Sequence, residues 1–288
     1  MAENLPVIKN GNGVFVSQAI CRSERTFRKN SPELVYGRKN TRSILNRKDL
    51  EHPDRCHGTG ENKRKGLSIY HRTQIDLTYN SNHIEGSKLT HEQTRYIFET
   101  NTIGITDEPV NVDDIVETIN HFRCIDYIID HAGDQLTESM IKGLHIILKS
   151  GTSDSRKSWF NVGEYKRLPN EVGGKETCPP EGVHKEMKNL LTHYKGIKTK
   201  TIENIIDFHC QFERIHPFQD GNGRVGRLIM FKECLANNIV PFIITDELKL
   251  FYYRGLSNWG KVNGYLTDTC LTAQEQYKVL LDYFKVKY

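Results

Sequence analysis

A short stretch, residues 215–227, concentrates side chains that could do phosphate chemistry. The turn at Gly221–Gly223 favours positive φ, and the residues after it have helical apolar spacing, so the turn is predicted at a helix N-terminus. Free N–H groups and the helix dipole attract anions at such a position. Arg224 and Arg227 are three residues apart, which places both on one helix face and extends the predicted anion site.

The same stretch contains a base and a carboxylate. His216 titrates near neutral pH and stands beside the predicted anion site. Asp220 opposes the arginines in charge and is a hard oxygen ligand of the kind that binds Mg²⁺. Other interpretations are a core histidine, a helix N-cap carboxylate and, for Arg227, a surface charge. A base, an anion site and a metal ligand in one loop indicate phosphoryl or nucleotidyl transfer.

The stretch resembles the signature of the Fic family, H-P-F-x-[D/E]-G-N-G-R-x-x-R, and matches it at every defined position. The resemblance implies an all-α fold, a Fic-type helical bundle with a small β-hairpin flap. It implies a protein adenylyltransferase that transfers AMP from ATP to a Tyr, Thr or Ser hydroxyl of a target protein. His216 would take the hydroxyl proton, and Asp220 would hold Mg²⁺ at the phosphates. The residues it implies in nucleotide binding are Gly221, Asn222, Gly223, Arg224 and, nearest the γ-phosphate, Arg227.

A second stretch, Ser81-Asn82-His83-Ile84-Glu85-Gly86, resembles the inhibitory motif of the family, [S/T]-x-x-x-E-[G/N]. The resemblance implies that Glu85 pairs with Arg227 and takes the place of the γ-phosphate, a role that suits a carboxylate–guanidinium pair. The same glutamate could position a water molecule for removing AMP. Without the resemblance, a Glu-Gly pair is a common helix end. The predicted inhibitory residues are Ser81, Glu85 and Gly86.

Residues 153–177 interrupt the helical rhythm, and Gly163–Gly174 alternates and then turns as a β-hairpin would. In the family a flap at this place aligns a target segment by strand-like pairing, and the alternative is a plain surface hairpin. The resemblance therefore implies that Lys166, Leu168 and Val172 dock the target.

Tyr252 and Tyr253 resemble a tyrosine pair that encloses the adenine in the family, with Tyr253 as the nucleotide-binding member. A packing pair in the bundle is the alternative. Gly260 stands where family members often carry an asparagine, so the preference for the base stays open.

The glycines at 221, 223 and 226, with Asp246 further on, also fit the dinucleotide fingerprint G-x-G-x-x-G. That fingerprint requires a preceding strand within βαβ alternation. Residues 202–215 are predicted to be helical, which argues against a dinucleotide-binding fold.

Composition places the 288-residue chain among ordinary globular proteins, with 37% hydrophobic and 26% charged residues. No apolar run approaches a membrane span, and residues 1–10 lack the apolar core of a secretory signal. The seven cysteines are scattered without a C-x-x-C pair, which favours reduced thiols over disulfides or structural zinc. We therefore expect a cytoplasmic protein.

The chain divides near residue 66. Residues 1–65 hold 14 Lys and Arg against 7 Asp and Glu, although the whole chain is only +4. This basic extension is predicted to be solvated and partly ordered, and binding of nucleic acid is the alternative. Residues 66–288 form the predicted Fic domain, with the inhibitory helix at its start. The predicted helices span about 66–81, 90–100, 112–132, 137–149, 180–194, 202–215, 222–236, 248–259 and 271–285.

Several functions stay open at this point. The chain could transfer UMP, GMP or phosphocholine instead of AMP, or it could mainly remove AMP. A nucleotide-sensing or nucleic-acid-binding regulator that uses the basic extension is the alternative from another class. Auto-modification is expected of the transferase, and a homodimer is left open.

Overall fold

A computed structural model describes residues 68–104 and 109–288 of the chain. Within these residues the only sheet has two short strands, and the rest of the regular structure is helical, which confirms the predicted all-α fold. The predicted extension 1–65 lies outside the described residues. The elements are α1 Ile69–Ile84, α2 His91–Thr100, α3 Val112–Asp130, α4 Glu138–Lys149, β1 Glu171–Val172, β2 Lys175–Glu176, α5 Pro180–Gly196, α6 Ile202–Ile215, α7 Asn222–Ala236, α8 Lys249–Asn258 and α9 Gly264–Tyr283.

Most helix starts follow from local capping chemistry. The Thr90 hydroxyl accepts from the backbone N–H of Gln93, and the backbone N–H of Thr90 donates to Gln93 Oε1 in return, so the predicted capping box is confirmed. Thr137 caps α4 in the same manner through the N–H of Met140. The last helix is different, because it begins at Gly264 and not near residue 271. Residues 264–270 have a weak local helix propensity, but the burial of Leu266 stabilises them as the first turns of α9. Propensity alone does not predict this tertiary effect.

Helix α7 is the centre of the molecule. It is buried on every side from Asn222 to Cys234, as expected of a helix inside a bundle. Helices α1, α3, α4 and α6 pack around it. Its buried Lys232 and Glu233 pair with each other at 2.7 Å, and Tyr194 donates to Glu233 at 2.9 Å. The N-terminus of α7 is therefore fixed by four helices.

The predicted hairpin is shorter than expected and lies later in the chain. Its strands pair Glu171 with Glu176 and Val172 with Lys175 across a Gly173–Gly174 turn, where both glycines have positive φ. The segment before residue 171 forms no strand in the structure. The reason is that the N–H of Lys166 donates to Pro217 O at 2.8 Å, so this backbone is bound to the motif loop.

Two further sequence predictions concern membrane-spanning helices and the state of the cysteines. Among the described residues, no helix is both long enough and apolar enough to cross a bilayer. The five cysteines in these residues are free thiols, four of them buried: Cys124, Cys178, Cys210, Cys234 and Cys270.

Candidate active site

The loop between α6 and α7 places His216 at a sharp change of chain direction. His216 is the C-cap of α6, with a left-handed backbone (φ 50°) and an N–H that donates to Phe212 O at 2.8 Å. A left-handed histidine is uncommon and requires support from its surroundings. Phe218 supplies it, since its buried ring stacks on the His145 ring with centroids 4.0 Å apart.

The His216 ring has the protonation pattern of a base. Its Nδ1 lies 3.3 Å from the backbone oxygen of Glu213. With the proton on Nδ1 for this bond, Nε2 carries the lone pair. Burial lowers the pKa of His216 to about 4, although the Glu213 carbonyl acts in the opposite direction. The imidazole is therefore neutral at pH 7 and able to accept a proton.

Asn222 closes the loop rather than facing outward. Its Oδ1 accepts from the N–H of Phe218 at 2.8 Å, and its Nδ2 donates to Phe218 O at 2.8 Å. Both side-chain groups are thus used inside the loop, which leaves the backbone N–H as the group that Asn222 could offer to a nucleotide. Gly221 takes positive φ (81°) immediately before α7. What the turn offers an anion is its backbone N–H groups.

Arg227 lies buried one turn into α7 and faces the end of α1. Its Nη2 donates to Glu85 Oε1 at 2.7 Å and to Ser81 O at 2.9 Å, and its Nε donates to Ser81 Oγ at 3.0 Å. Burial opposes the charge, but Glu85 outweighs it and raises the pKa of Arg227. Gly86 ends the helix with positive φ (101°). A side chain at Gly223 would overlap Glu85 Oε1, so this close approach requires glycine.

Arg224 belongs to a different group of charges. It donates to Glu117 of α3 and, at 3.1 Å, to Asp220 Oδ2. Lys149 of α4 joins the same carboxylates, at 2.5 Å from Glu117 Oε1 and 2.6 Å from Asp220 Oδ2. We call Glu117, Lys149, Asp220 and Arg224 the four-charge ring. Lys149 and Arg224 are almost wholly buried in it.

Asp220 is the residue that could hold a cation. Burial acts to raise its pKa, but Arg224 and Lys149 outweigh it and hold the pKa well below its usual range. Its Oδ2 is engaged in the four-charge ring, while 45% of its side-chain surface is exposed. An ionised and exposed carboxylate fits one protein ligand to a Mg²⁺ that is otherwise held by phosphates. No group of three or more His, Cys, Asp or Glu in the described residues forms a metal site alone.

His145, Lys149 and Glu117 support this site, although sequence reasoning missed them. The N–H of Gly163 donates to His145 Nδ1 at 2.8 Å, so Nε2 carries the proton and donates to Asp220 O at 3.2 Å. The signal was present in α4, because His145 and Lys149 follow Ile141 at four-residue spacing, on its buried face. Polar residues on an inward face indicate a buried network.

The predicted tyrosine pair divides between core and site. Tyr252 is buried, with its hydroxyl 2.7 Å from His209 Nε2, so it is a packing residue. Tyr253 is 39% exposed, and its hydroxyl donates to Ile84 O at 3.1 Å, beside Glu85. Only Tyr253 is therefore placed to meet a nucleotide.

The three predicted docking residues also differ from one another. Leu168 and Val172 are each 46% exposed. Lys166 is 4% exposed, and its ammonium donates to Asn170 Oδ1 and Thr177 Oγ1 at 2.7 and 2.6 Å. Burial lowers its pKa to about 8. The expectation that Lys166 docks a target is corrected, because its side chain is buried and hydrogen-bonds to Asn170 and Thr177, the residues on either side of the hairpin.

Comparison with known proteins gives a consistent result. The model of the Fic/DOC family matches residues 135–234. A protein adenylyltransferase Fic of Drosophila grimshawi is 25% identical over 228 residues, 72% of this chain and 45% of that protein. Its counterpart in Drosophila persimilis is 26% identical over 227 residues, 72% of this chain and 42% of that protein. The chain thus spans less than half the length of these curated relatives.

Solved structures agree on the fold. A Fic domain containing signaling protein from Bacteroides thetaiotaomicron has a TM-score of 0.59 and 28% identity, over 75% of this chain and 82% of that one. Fic-1 from C. elegans has a TM-score of 0.61 over 83% of this chain and 69% of that one. At 18% identity, this second likeness concerns the fold alone.

Proposed function

The chain belongs to the Fic/DOC family, and on that premise we propose that it is a protein adenylyltransferase restrained by its own Glu85. One observation carries the proposal. A buried arginine at the start of α7 is neutralised by a carboxylate that keeps 29% of its surface exposed. A phosphate group of a nucleotide can replace such a carboxylate on Arg227.

The proposed reaction gives each of these groups one role. His216 Nε2 accepts the proton of a Tyr, Thr or Ser hydroxyl on the target protein. The hydroxyl oxygen forms a bond to the α-phosphorus of ATP, and the bond from that phosphorus to the bridging oxygen breaks, so that pyrophosphate leaves. Such a base contributes about 10² to 10⁴ in rate. The N–H groups of the Gly221–Gly223 turn, with Arg224 and Arg227, hold the phosphates.

Asp220 is the proposed ligand of Mg²⁺. When bound, the ion supplies positive charge to the phosphate oxygens. The protein keeps Asp220 ionised through Lys149 and Arg224.

The target protein would dock at the hairpin. Leu168 and Val172 present exposed apolar side chains there, and an extended segment of the target can pair with β1 or β2. Free thiols in the described residues support a reducing cytosol as its location.

The test is labelling of the purified chain and of candidate targets with α-labelled ATP. Glu85→Gly should raise labelling, since it frees Arg227 and opens the space beside Gly223. His216→Ala, made in the Glu85→Gly protein, should abolish it. Glu99→Gly, which removes a glutamate of the last turn of α2 that pairs with His71 and Arg95, is the matched control and should not raise labelling. No gain from Glu85→Gly at equal folding would contradict the restraint.

The mass of the adduct identifies the group that is transferred. AMP is expected, and UMP, GMP or phosphocholine from mixed substrates would redirect the assignment. A pre-modified target shows whether the wild type also removes AMP. Release of AMP by the wild type but not by Glu85→Gly would assign that reaction to Glu85.

A further inference from the structure

Glu213 occupies a position behind His216 that the proposed reaction does not use. It lies in the last turn of α6, with 13% of its side chain exposed. Its backbone oxygen accepts from His216 Nδ1, and its own Oε2 lies 3.8 Å from that nitrogen. This separation is longer than a hydrogen bond, so the carboxyl group acts on the imidazole through charge.

The other carboxyl oxygen of Glu213 is buried without a partner. Among the described residues, Glu213 Oε1 has no hydrogen bond, and neither has His209 Nδ1. Both atoms lie 2.8 Å from the point that a Cβ on Gly226 would occupy. The glycine in the middle of α7 thus leaves room for this carboxyl group. A buried and unpaired carboxyl is costly to keep, and such a group requires an explanation.

His216 supplies the explanation, because it is a weak base in the resting protein. Burial holds its pKa at about 4, whereas a general base works best with a pKa near the working pH. A carboxylate beside Nδ1 stabilises the imidazolium that forms when Nε2 takes the proton. Among the described residues, Glu213 is the carboxyl group that lies within 4 Å of a His216 ring nitrogen.

We infer, on the basis of the proposed function, that Glu213 is a positioning residue whose carboxylate stabilises the His216 imidazolium once Glu85 has left Arg227. The resting state is consistent with this order. Burial and the charge of Glu85 raise the pKa of Glu213 to about 8, while Arg227 acts to lower it. Removal of Glu85 takes away the second of the two causes and leaves the attraction of Arg227, so the pKa of Glu213 falls and its carboxylate form is favoured in the open state.

Other charged groups surround the pair, and the experiment must hold them constant. They are Lys166 and Asp220 beside His216, His209 on α6, Glu85 on α1, Arg227 on α7, and Tyr252 and Tyr253 on α8.

The test compares His216 in four full-length proteins by NMR titration of the imidazole: the wild type, Glu213→Gln, Glu85→Gly and the double variant. Glu213→Gln should lower the His216 pKa by about one unit in the Glu85→Gly protein, the size expected for a charge at this distance. In the wild type the shift should be much smaller, since Glu213 is already neutral. Glu203→Gln, an exposed glutamate on the first turn of the same helix, is the control and should shift nothing.

Kinetics provide the second readout. In the Glu85→Gly protein, Glu213→Gln should lower kcat about tenfold with the KM for ATP unchanged, because Glu213 acts on the base and does not touch the nucleotide. Glu213→Asp should restore part of the loss. Glu213→Leu, which also removes the charge, replaces Glu213→Gln if the amide does not fold.

An equal His216 pKa in Glu85→Gly and in the double variant would overturn the inference, whatever the transfer rates are. Equal kcat values would do the same. If instead the Glu85→Gly protein transfers nothing, the proposed function fails, and the titration alone still decides the role of Glu213.

Discussion

Arg224 and Arg227 are one turn apart on the same helix, and their surroundings differ in kind. Arg224 lies in the four-charge ring, where it pairs with Glu117 from α3, and Glu117 in turn pairs with Lys149 from α4. Arg227 has a single carboxylate partner in the described residues, Glu85, at the very end of α1. Two further hydrogen bonds, from Nε and Nη2 of Arg227, go to Ser81.

The difference separates a structural ion pair from a removable one. Glu117 is 14% exposed and bonds to two buried cations, which share it with Asp220, so its loss would leave both buried charges short of a carboxylate. Glu85 is 29% exposed, and the partner it would leave keeps two bonds to Ser81. A carboxylate that can depart at small cost is what regulation requires.

The largest expected effect is a loss of stability at low pH, which tests the buried histidines near the two arginines. His121 hydrogen-bonds to Thr78 of α1, and its charge would be opposed by Arg224 and Arg227. His145 hydrogen-bonds to the backbone oxygen of Asp220, and its charge would be opposed by Arg224. Burial lowers both pKa values to about 3, and that of His209 likewise. In the unfolded chain these histidines have a pKa of about 6.5, so below that pH unfolding takes up protons. The free energy of unfolding is therefore unaffected by them above about pH 6.5 and decreases as the pH falls toward about 3.

Each histidine should contribute up to about 1.4 kcal/mol of lost stability per pH unit in that window. Urea unfolding at pH 7, 6 and 5 measures the loss. His121→Asn and His145→Asn should each make the free energy of unfolding less dependent on pH. Each variant thereby shows how much of the loss comes from its own histidine. A free energy of unfolding that stays constant from pH 7 to pH 5 would show that these histidines are not held neutral.

The second effect compares the two carboxylates directly. Glu117→Ala removes one of the two carboxylates that the buried Lys149 and Arg224 share and should cost about 3 kcal/mol of stability. Glu85→Ala should cost about 1 kcal/mol, because Ser81 still accepts from Arg227. Glu92→Ala, from an exposed pair with Arg95, is the control and should be nearly neutral. Equal losses at Glu117 and Glu85 would remove the distinction between the two arginines.

The smallest effect concerns Ser81. Ser81→Ala removes the hydroxyl that accepts from Arg227 Nε and leaves the backbone oxygen in place. Because Arg227 is then held less firmly toward α1, we expect transfer in the labelling assay to rise about threefold. A change of this size lies within the free energy that one hydrogen bond contributes. Ser87→Ala, beyond the end of α1, serves as the control. A fall in transfer would mean that Ser81 orients Arg227 for the nucleotide instead.

Local signals explain which elements the sequence predicted well. The bounds of α6 and α7 agree with the prediction, because the chain leaves α6 at His216 and starts α7 after the Gly221 turn. The start of α9 was wrong, since burial of Leu266 outweighs a weak local propensity. The hairpin was placed too early, because the bond from Lys166 to Pro217 takes the backbone away from strand pairing.

The sequence by itself determined the chemical groups of the loop, since residues 216–227 are neighbours and the turn and helix start fix their mutual positions. It also indicated the partner of Arg227, but only through the likeness of Ser81–Gly86 to a known motif. The tertiary structure alone decided the pairing of Arg224 with Glu117 and the surroundings of the Glu213 carboxyl group. Glu117 is 107 positions from Arg224 and meets it only because α3 packs on α7. No local spacing encodes such a pairing, because burial brings these charges together.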